Sequence, residues 1–158
     1  LVNADFESTP ALDGGIEGWE PTTHANQDGW VFALDDGTMH AGRASVRIRR
    51  SGNDPWGMLH QTLPAAGLGG ETLELSAWLR TDRADGEGAI LVLRTLANGS
   101  VDKHVFMKPP VAGTRDWTRY SVRLAIPRNS IAVGIGVMMQ GGGTLWLDDV
   151  ALVALPSL

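Results

Sequence analysis

Gly143-Thr144-Leu145-Trp146-Leu147-Asp148-Asp149-Val150-Ala151-Leu152 decides how this chain folds. A glycine run, Gly141 to Gly143, releases into a strand of alternating apolar residues with two aspartates in its middle. Aspartate is a poor strand former, because its short side chain competes for backbone hydrogen bonds. If Val150 and Leu152 face a core, the period of two puts Trp146 and Asp148 on that same inner side. A buried carboxylate has to be neutralised, hydrogen-bonded or bound to a cation, since leaving it bare costs several kcal/mol.

The same alternation recurs upstream. Val46 and Ile48 share one face of Ser45–Arg49, and Leu73, Leu75, Ala77 and Leu79 share one face of Thr72–Arg80. Tyr120, Val122, Leu124 and Ile126 fall together, and Ile131–Met139 alternates with glycine. Ala89–Thr95 is a more continuous apolar strand, and Leu59–Leu63 a shorter one. Turn clusters separate them: Asp35-Asp36-Gly37, Ser51–Pro55, Ala66–Gly70, Asp82–Gly86 and Ala97-Asn98-Gly99. No window carries a helical stripe longer than about two turns. About eight or nine short strands punctuated by turns predict an all-β fold, a two-sheet antiparallel β-sandwich of the jelly-roll type. Residues 1–158 read as one such domain, without linker, repeat or low-complexity segment.

At 158 residues the chain can bury roughly two-thirds of its unfolded surface in one core. A net charge of −5 argues against nucleic acid as a partner, because phosphate binding needs a basic surface. No apolar run approaches the roughly 20 residues of a membrane-spanning helix. With no cysteine, disulfides, thiolate metal sites and cysteine nucleophiles are excluded. The four histidines are widely separated, and neither a zinc-type histidine pair nor a Gly-x-Ser-x-Gly elbow occurs. Gly134-Ile135-Gly136 lacks the helix that a phosphate-cradling loop needs. No enzyme is expected. The chain opens at Leu1 without an initiator methionine, as a processed or excised segment would, so any export signal would lie outside it.

Four patterns in order resemble the galactose-binding-like jelly-roll superfamily and its carbohydrate-binding modules of families four, nine and twenty-two. They are Asn3-Ala4-Asp5-Phe6-Glu7 followed by Gly18-Trp19; Ala41–Ile48; Thr114-Arg115-Asp116-Trp117-Thr118-Arg119-Tyr120; and Gly143–Leu152. The segment Trp56–Pro64 is similar to a subset of such domains fused to bacterial peptidases, esterase-like enzymes and transcription regulators. The resemblance implies an accessory module of a larger exported protein, extracellular or periplasmic, with a glycan and a neighbouring catalytic domain as partners. It also implies a structural calcium tying the first strand to the last. Glu7 and Asp148 would supply carboxylates, and the turn from His40 to Ser45 carbonyl oxygens, since calcium takes six to eight hard oxygen ligands. The alternative is that Asp148 accepts hydrogen bonds from the backbone or an arginine, with no ion. Asp149 is expected to point outward into solvent.

Six tryptophans against one tyrosine and three phenylalanines is a skewed aromatic set. Exposed indole faces stack on sugar rings. Trp19, Trp117 and Trp146 occupy motif positions of the resembled family and read as packing. Trp78 falls opposite the buried face of its strand with Arg80; by the same logic Arg94, Met138 and Gln140 face outward on theirs. If these strands share a sheet, they make one face with an aromatic, two arginines and an amide over a glycine floor. That face is either a glycan platform or a surface docked on a fused domain with no sugar ligand. As a platform, Trp78 or Trp56 would stack, while Arg80, Arg94 and Gln140 hydrogen-bond hydroxyls or a carboxylate. Trp30 and Trp56, in turn-rich loops, either lean over the face as anchors or cap the sandwich end.

Overall fold

A computed structural model describes residues 1–156. It contains nine strands: β1 Glu20–Thr23, β2 Trp30–Asp35, β3 Ser45–Arg50, β4 Trp56–Pro64, β5 Thr72–Ala97, β6 Ser100–Phe106, β7 Val111–Ala125, β8 Ala132–Gln140 and β9 Thr144–Ala154. Every pairing is antiparallel. The one helical element among the described residues is a 3-10 turn, Gln27–Gly29.

β5 organises the molecule. Its first half, Thr72 to Asp82, lies between β7 and β9, and β9 continues to β3 and β2. Its second half, Gly88 to Leu96, pairs with β8, which continues to β4 and β1, and β6 flanks it from Val92 onward. The first sheet is thus β7-β5-β9-β3-β2 and the second β6-β5-β8-β4-β1. Their inner faces meet: Leu75, Ala77 and Leu147 of the first line a small void together with Leu91, Ile135 and Val137 of the second. The fold is the expected all-β antiparallel jelly roll.

Two local expectations change. Asp82–Gly86, read as a turn, is instead a bend within continuous β5, with Arg83, Gly86 and Gly88 at φ +50°, +65° and +97°. The strand leaves one sheet there and enters the other, and its pairing with β7 slips register three times. The Ala97-Asn98-Gly99 turn closes a hairpin with Ala97 opposite Ser100. Asn98 and Gly99 both have positive φ, as a primed two-residue turn requires. β6 was not foreseen because it is an exposed edge without alternation.

The second change concerns β9. Trp78 pairs with Asp148 and Ser76 with Ala151, so β9 has one residue more than β5 between these points. The extra residue is a bulge, with Asp149 at φ +48°. It reverses the facing of the strand. Leu145 and Leu147 point into the core before the bulge and Val150 after it. Trp146 and Asp148 share a face as expected, but it is the outer face of the first sheet, not the inner one.

Candidate functional site

Asp148 is nonetheless fully buried, because the loop from Asp36 to Ala44 folds down over the outer face. Its Oδ2 accepts from the backbone N–H of His40 (2.9 Å) and Ala41 (3.2 Å), and its Oδ1 from Asp149 N–H (2.8 Å). Burial, followed at some distance by the neighbouring Asp149 charge, pushes its pKa up to about 6 against the pull of those amides. Glu7 grips the other end of the loop. Its carboxylate accepts from Arg43 N–H at 2.8 and 3.0 Å and from Ala44 N–H at 3.2 Å. Those amides hold its pKa below the usual carboxylate range. Glycine is required between the two grips: Gly42 has φ +69°, and a Cβ there would run into the Glu7 carboxylate.

His40 lies flat on Trp78, ring centroids 3.8 Å apart, with Trp117 edge-on at 5.9 Å. Its Nδ1 bonds the Asp149 carboxylate at 2.7 Å, so Asp149 is not the free solvated group expected. Ser45 is buried and donates to the Thr38 carbonyl. The loop therefore meets both carboxylates with amide N–H groups, where a hard cation needs oxygen lone pairs. Among the described residues no three acidic or histidine side chains converge on a metal-sized position. Calcium at Glu7, Asp148, His40 and Ser45 does not fit this donor set, and the hydrogen-bonded alternative does.

Two measurements check this clasp. Chelator is expected to leave the melting midpoint unchanged. The Asp148 carboxyl should titrate near pH 6 by NMR. A midpoint that falls on chelation, or a titration well below pH 4, would restore the ion.

The other half of that outer face is closed by its own side chains. Arg80 stacks over Trp146 at 5.4 Å, and Trp146 Nε1 donates to Asp35 at 2.9 Å. Trp78, beneath His40, is half-buried. Trp30, weighed as an anchor or a cap, is a cap: it is 5% exposed, its Nε1 donates to buried Asp54, and its ring fills the space over Gly57.

The open groove is on the outer face of the second sheet. Register sets residues side by side there: Trp56 with Gln140; Met58, Met138 and Ile90; His60, Gly136, Val92 and Phe106; Thr62, Gly134, Arg94 and His104. Cross-strand partners project to the same side, so these rows form one surface. A cleft of about 490 Å³ is lined by Glu87, Ile90, Phe106, Lys108, Pro109 and Gln140. It is continuous through Glu87 and Gln140 with a second hollow of about 330 Å³ beside Trp56.

Trp56 is half-buried, with His24 edge-on at 6.0 Å, and Phe106 is 40% exposed, its ring 4.7 Å from His104. Two sheltered polar atoms on this surface have no protein partner, Gln140 Oε1 and His60 Nδ1. His60 Nε2 sits 2.7 Å from Thr22 Oγ1. Burial first, and then the Arg94 charge, lower the His60 pKa, so the ring is neutral at pH 7.

The four residues expected to share one face thus divide two ways. Trp78 and Arg80 lie on the first sheet, Arg94 and Gln140 on the second. Of the two loop tryptophans, Trp56 joins the second sheet beside Gln140, and Trp30 is buried as a cap. The cause is the crossing of β5, which aims its outer residues in opposite directions before and after Gly88. Phe106, His60 and Glu87 were missed. Phe106 ends an unalternating edge strand, and only register places it beside Val92. The groove supplies aromatic pads and hydrogen-bonding groups. His40–Asp149 has no hydroxyl partner on Nε2, and Thr22–His60 no carboxylate on Nδ1, so neither pair is a complete nucleophilic triad among the described residues.

No described family profile matches the chain. It is 24% identical over 136 residues to an uncharacterized HTH-type transcriptional regulator, YbfP, of Bacillus subtilis, spanning 77% of this chain and 46% of the regulator. The chain thus spans about half the length of that curated relative. Among solved structures it superposes on a family 61 carbohydrate-binding module in complex with beta-1,4-galactotriose, with TM-score 0.61 and 17% identity, covering 98% of this chain and 97% of the module. It also matches the CBM22-1–GH10 modules of a Clostridium thermocellum endo-1,4-beta-D-xylanase complexed with xylohexaose, with TM-score 0.65 and 15% identity, covering 99% of this chain and 28% of that one. At these identities the likeness shows the fold: the jelly roll of carbohydrate-binding modules, some of which are joined to catalytic domains.

Proposed function

We propose that this chain is a non-catalytic carbohydrate-binding module, an accessory domain of a larger exported protein, and that it holds a glycan in the groove of the second sheet. The observation that carries the reading is the continuity of the cleft from the Trp56 indole to the exposed Phe106 ring. Gln140, whose Oε1 has no protein partner, lies between them, and sugar-binding modules share the fold. Aromatic faces desolvate the apolar side of a pyranose, and an amide exchanges donors and acceptors with its hydroxyls. The Trp78 surface is a poor platform by comparison, since His40 already occupies the indole face.

Trp56→Ala and Phe106→Ala test this against immobilised β-linked galactan and xylan. Truncating an aromatic anchor costs about 2 kcal/mol or more, so binding should weaken about 30-fold in each variant. Binding unchanged in both, or no glycan bound by the parent protein, would overturn the proposal. In the latter case the groove is left as a docking surface for a fused domain.

A further inference from the structure

The groove is chemically asymmetric. Its Trp56 end carries Glu87; beyond its Phe106 end, one row further along the same sheet face, lies Arg94 beside His60 and His104. We infer that the glycan bound in this groove is acidic, with an oxyanion seated against Arg94; this rests on the module reading above.

Three observations converge on Arg94. Arginines 43, 47, 50, 83, 119 and 123 lie within 4 Å of a carboxylate; among the described residues Arg49, Arg80, Arg94, Arg115 and Arg128 do not, and of these only Arg80, which lies over Trp146, and Arg94 are not exposed. Arg94 is half-buried, so its charge is only partly hydrated. Its side chain is laid along the sheet rather than extended into solvent: a Cβ on Gly134 would come within 2.9 Å of its Nε and 3.0 Å of its Cγ.

The Gly134 floor therefore pre-places the guanidinium on the same surface as the cleft. The other groups facing it from the adjoining strands are His104, His60 and Thr62, none of them anionic at neutral pH. Glu20 lies beyond His60 on the edge strand. A partly desolvated guanidinium without a counter-charge, in a protein of net charge −5, is stabilised by an oxyanion from outside. Its planar fork matches a carboxylate or sulfate better than the single hydroxyl of a neutral sugar.

Calorimetric titration with length-matched neutral, uronate-bearing and sulfate-bearing oligosaccharides tests this, at about 50 mM salt and again at higher salt. The parent protein is expected to prefer an acidic oligosaccharide about tenfold or more, with the preference shrinking as salt rises. Comparison of the uronate and sulfate arms tells which oxyanion the site takes. Arg94→Gln should bring the acidic-to-neutral ratio to about one. Gly134→Ala, which displaces the guanidinium without changing charge, should lower it in the same direction, and Arg94→Lys should keep only part. Equal binding of neutral and acidic sugars by the parent protein overturns the charge assignment while leaving the module reading intact. So does a preference that survives Arg94→Gln. Failure of every sugar to bind overturns both.

Discussion

Replacing Gly88 by alanine is expected to destabilise the protein by about 3 kcal/mol or more, a large fraction of the stability of a domain this size. Gly88 sits where β5 enters the second sheet, at φ +97°, a conformation that L side chains avoid. The space is closed as well. A Cβ would run into the Val111 carbonyl oxygen and lie 2.7 Å from the Val111 carbonyl carbon, both backbone atoms that cannot swing aside. Relief requires β5 and β7 to part at the point where Ala89 pairs with Val111. Gly99→Ala is the control: its φ is +79°, but nothing lies within 4 Å, so only the conformational cost of about 1 kcal/mol applies. Urea melts of the two variants should differ by about 2 kcal/mol or more. Equal midpoints would mean that the bend tolerates a side chain and that backbone contact does not define it.

Asp148→Ala should cost about 1–3 kcal/mol at neutral pH, because three part-buried amide hydrogens lose their acceptor at once. The loop then keeps Glu7 at one end and the His40–Asp149 contact at the other, without the central carboxylate between them. His40 should leave the Trp78 face, and tryptophan fluorescence should change along with stability. The pH dependence has a definite sign. The folded pKa of about 6 lies above the ordinary carboxylate value, so the contribution of protonation is fully present below about pH 4. It is lost as pH rises through 6. Other titrating groups are common to both proteins, so the stability difference between parent and variant should widen as pH falls from 7.5 to 4.5. A difference that narrows over that window would show that Asp148 is held as a stabilised anion, with a cation or an arginine as partner.

How much of this was legible beforehand can be followed residue by residue. Alternation identified the inner faces of β3, of the first half of β5 and of β8, because burial against one core imposes a period of two whatever the neighbouring strand. Leu73, Leu75, Ala77 and Leu79 are all at most 1% exposed, and Val46 and Ile48 are fully buried. Of the aspartate pair, Asp148 does meet the expected loop at His40 and Ala41, but from the outer face of its strand, and Asp149 is paired to His40 rather than free in solvent. What the loop offers there is amide hydrogen, and the direction of a backbone dipole is not written in residue types.

The Trp78, Arg80, Arg94 and Gln140 grouping failed for a related reason. Each residue was correctly assigned to the outside of its own strand, yet outsides are shared only within one sheet. The amino-acid sequence by itself determined the antiparallel sandwich and the core faces of the regularly alternating strands, and it marked Asp148 as a carboxylate that needs partners, since these follow from local periodicity and the cost of burying a charge. Which outer residues meet was decided only by tertiary structure. A bend at Arg83–Gly88 and a single bulge at Asp149 set register and facing, and each depends on backbone contacts between segments far apart in the chain.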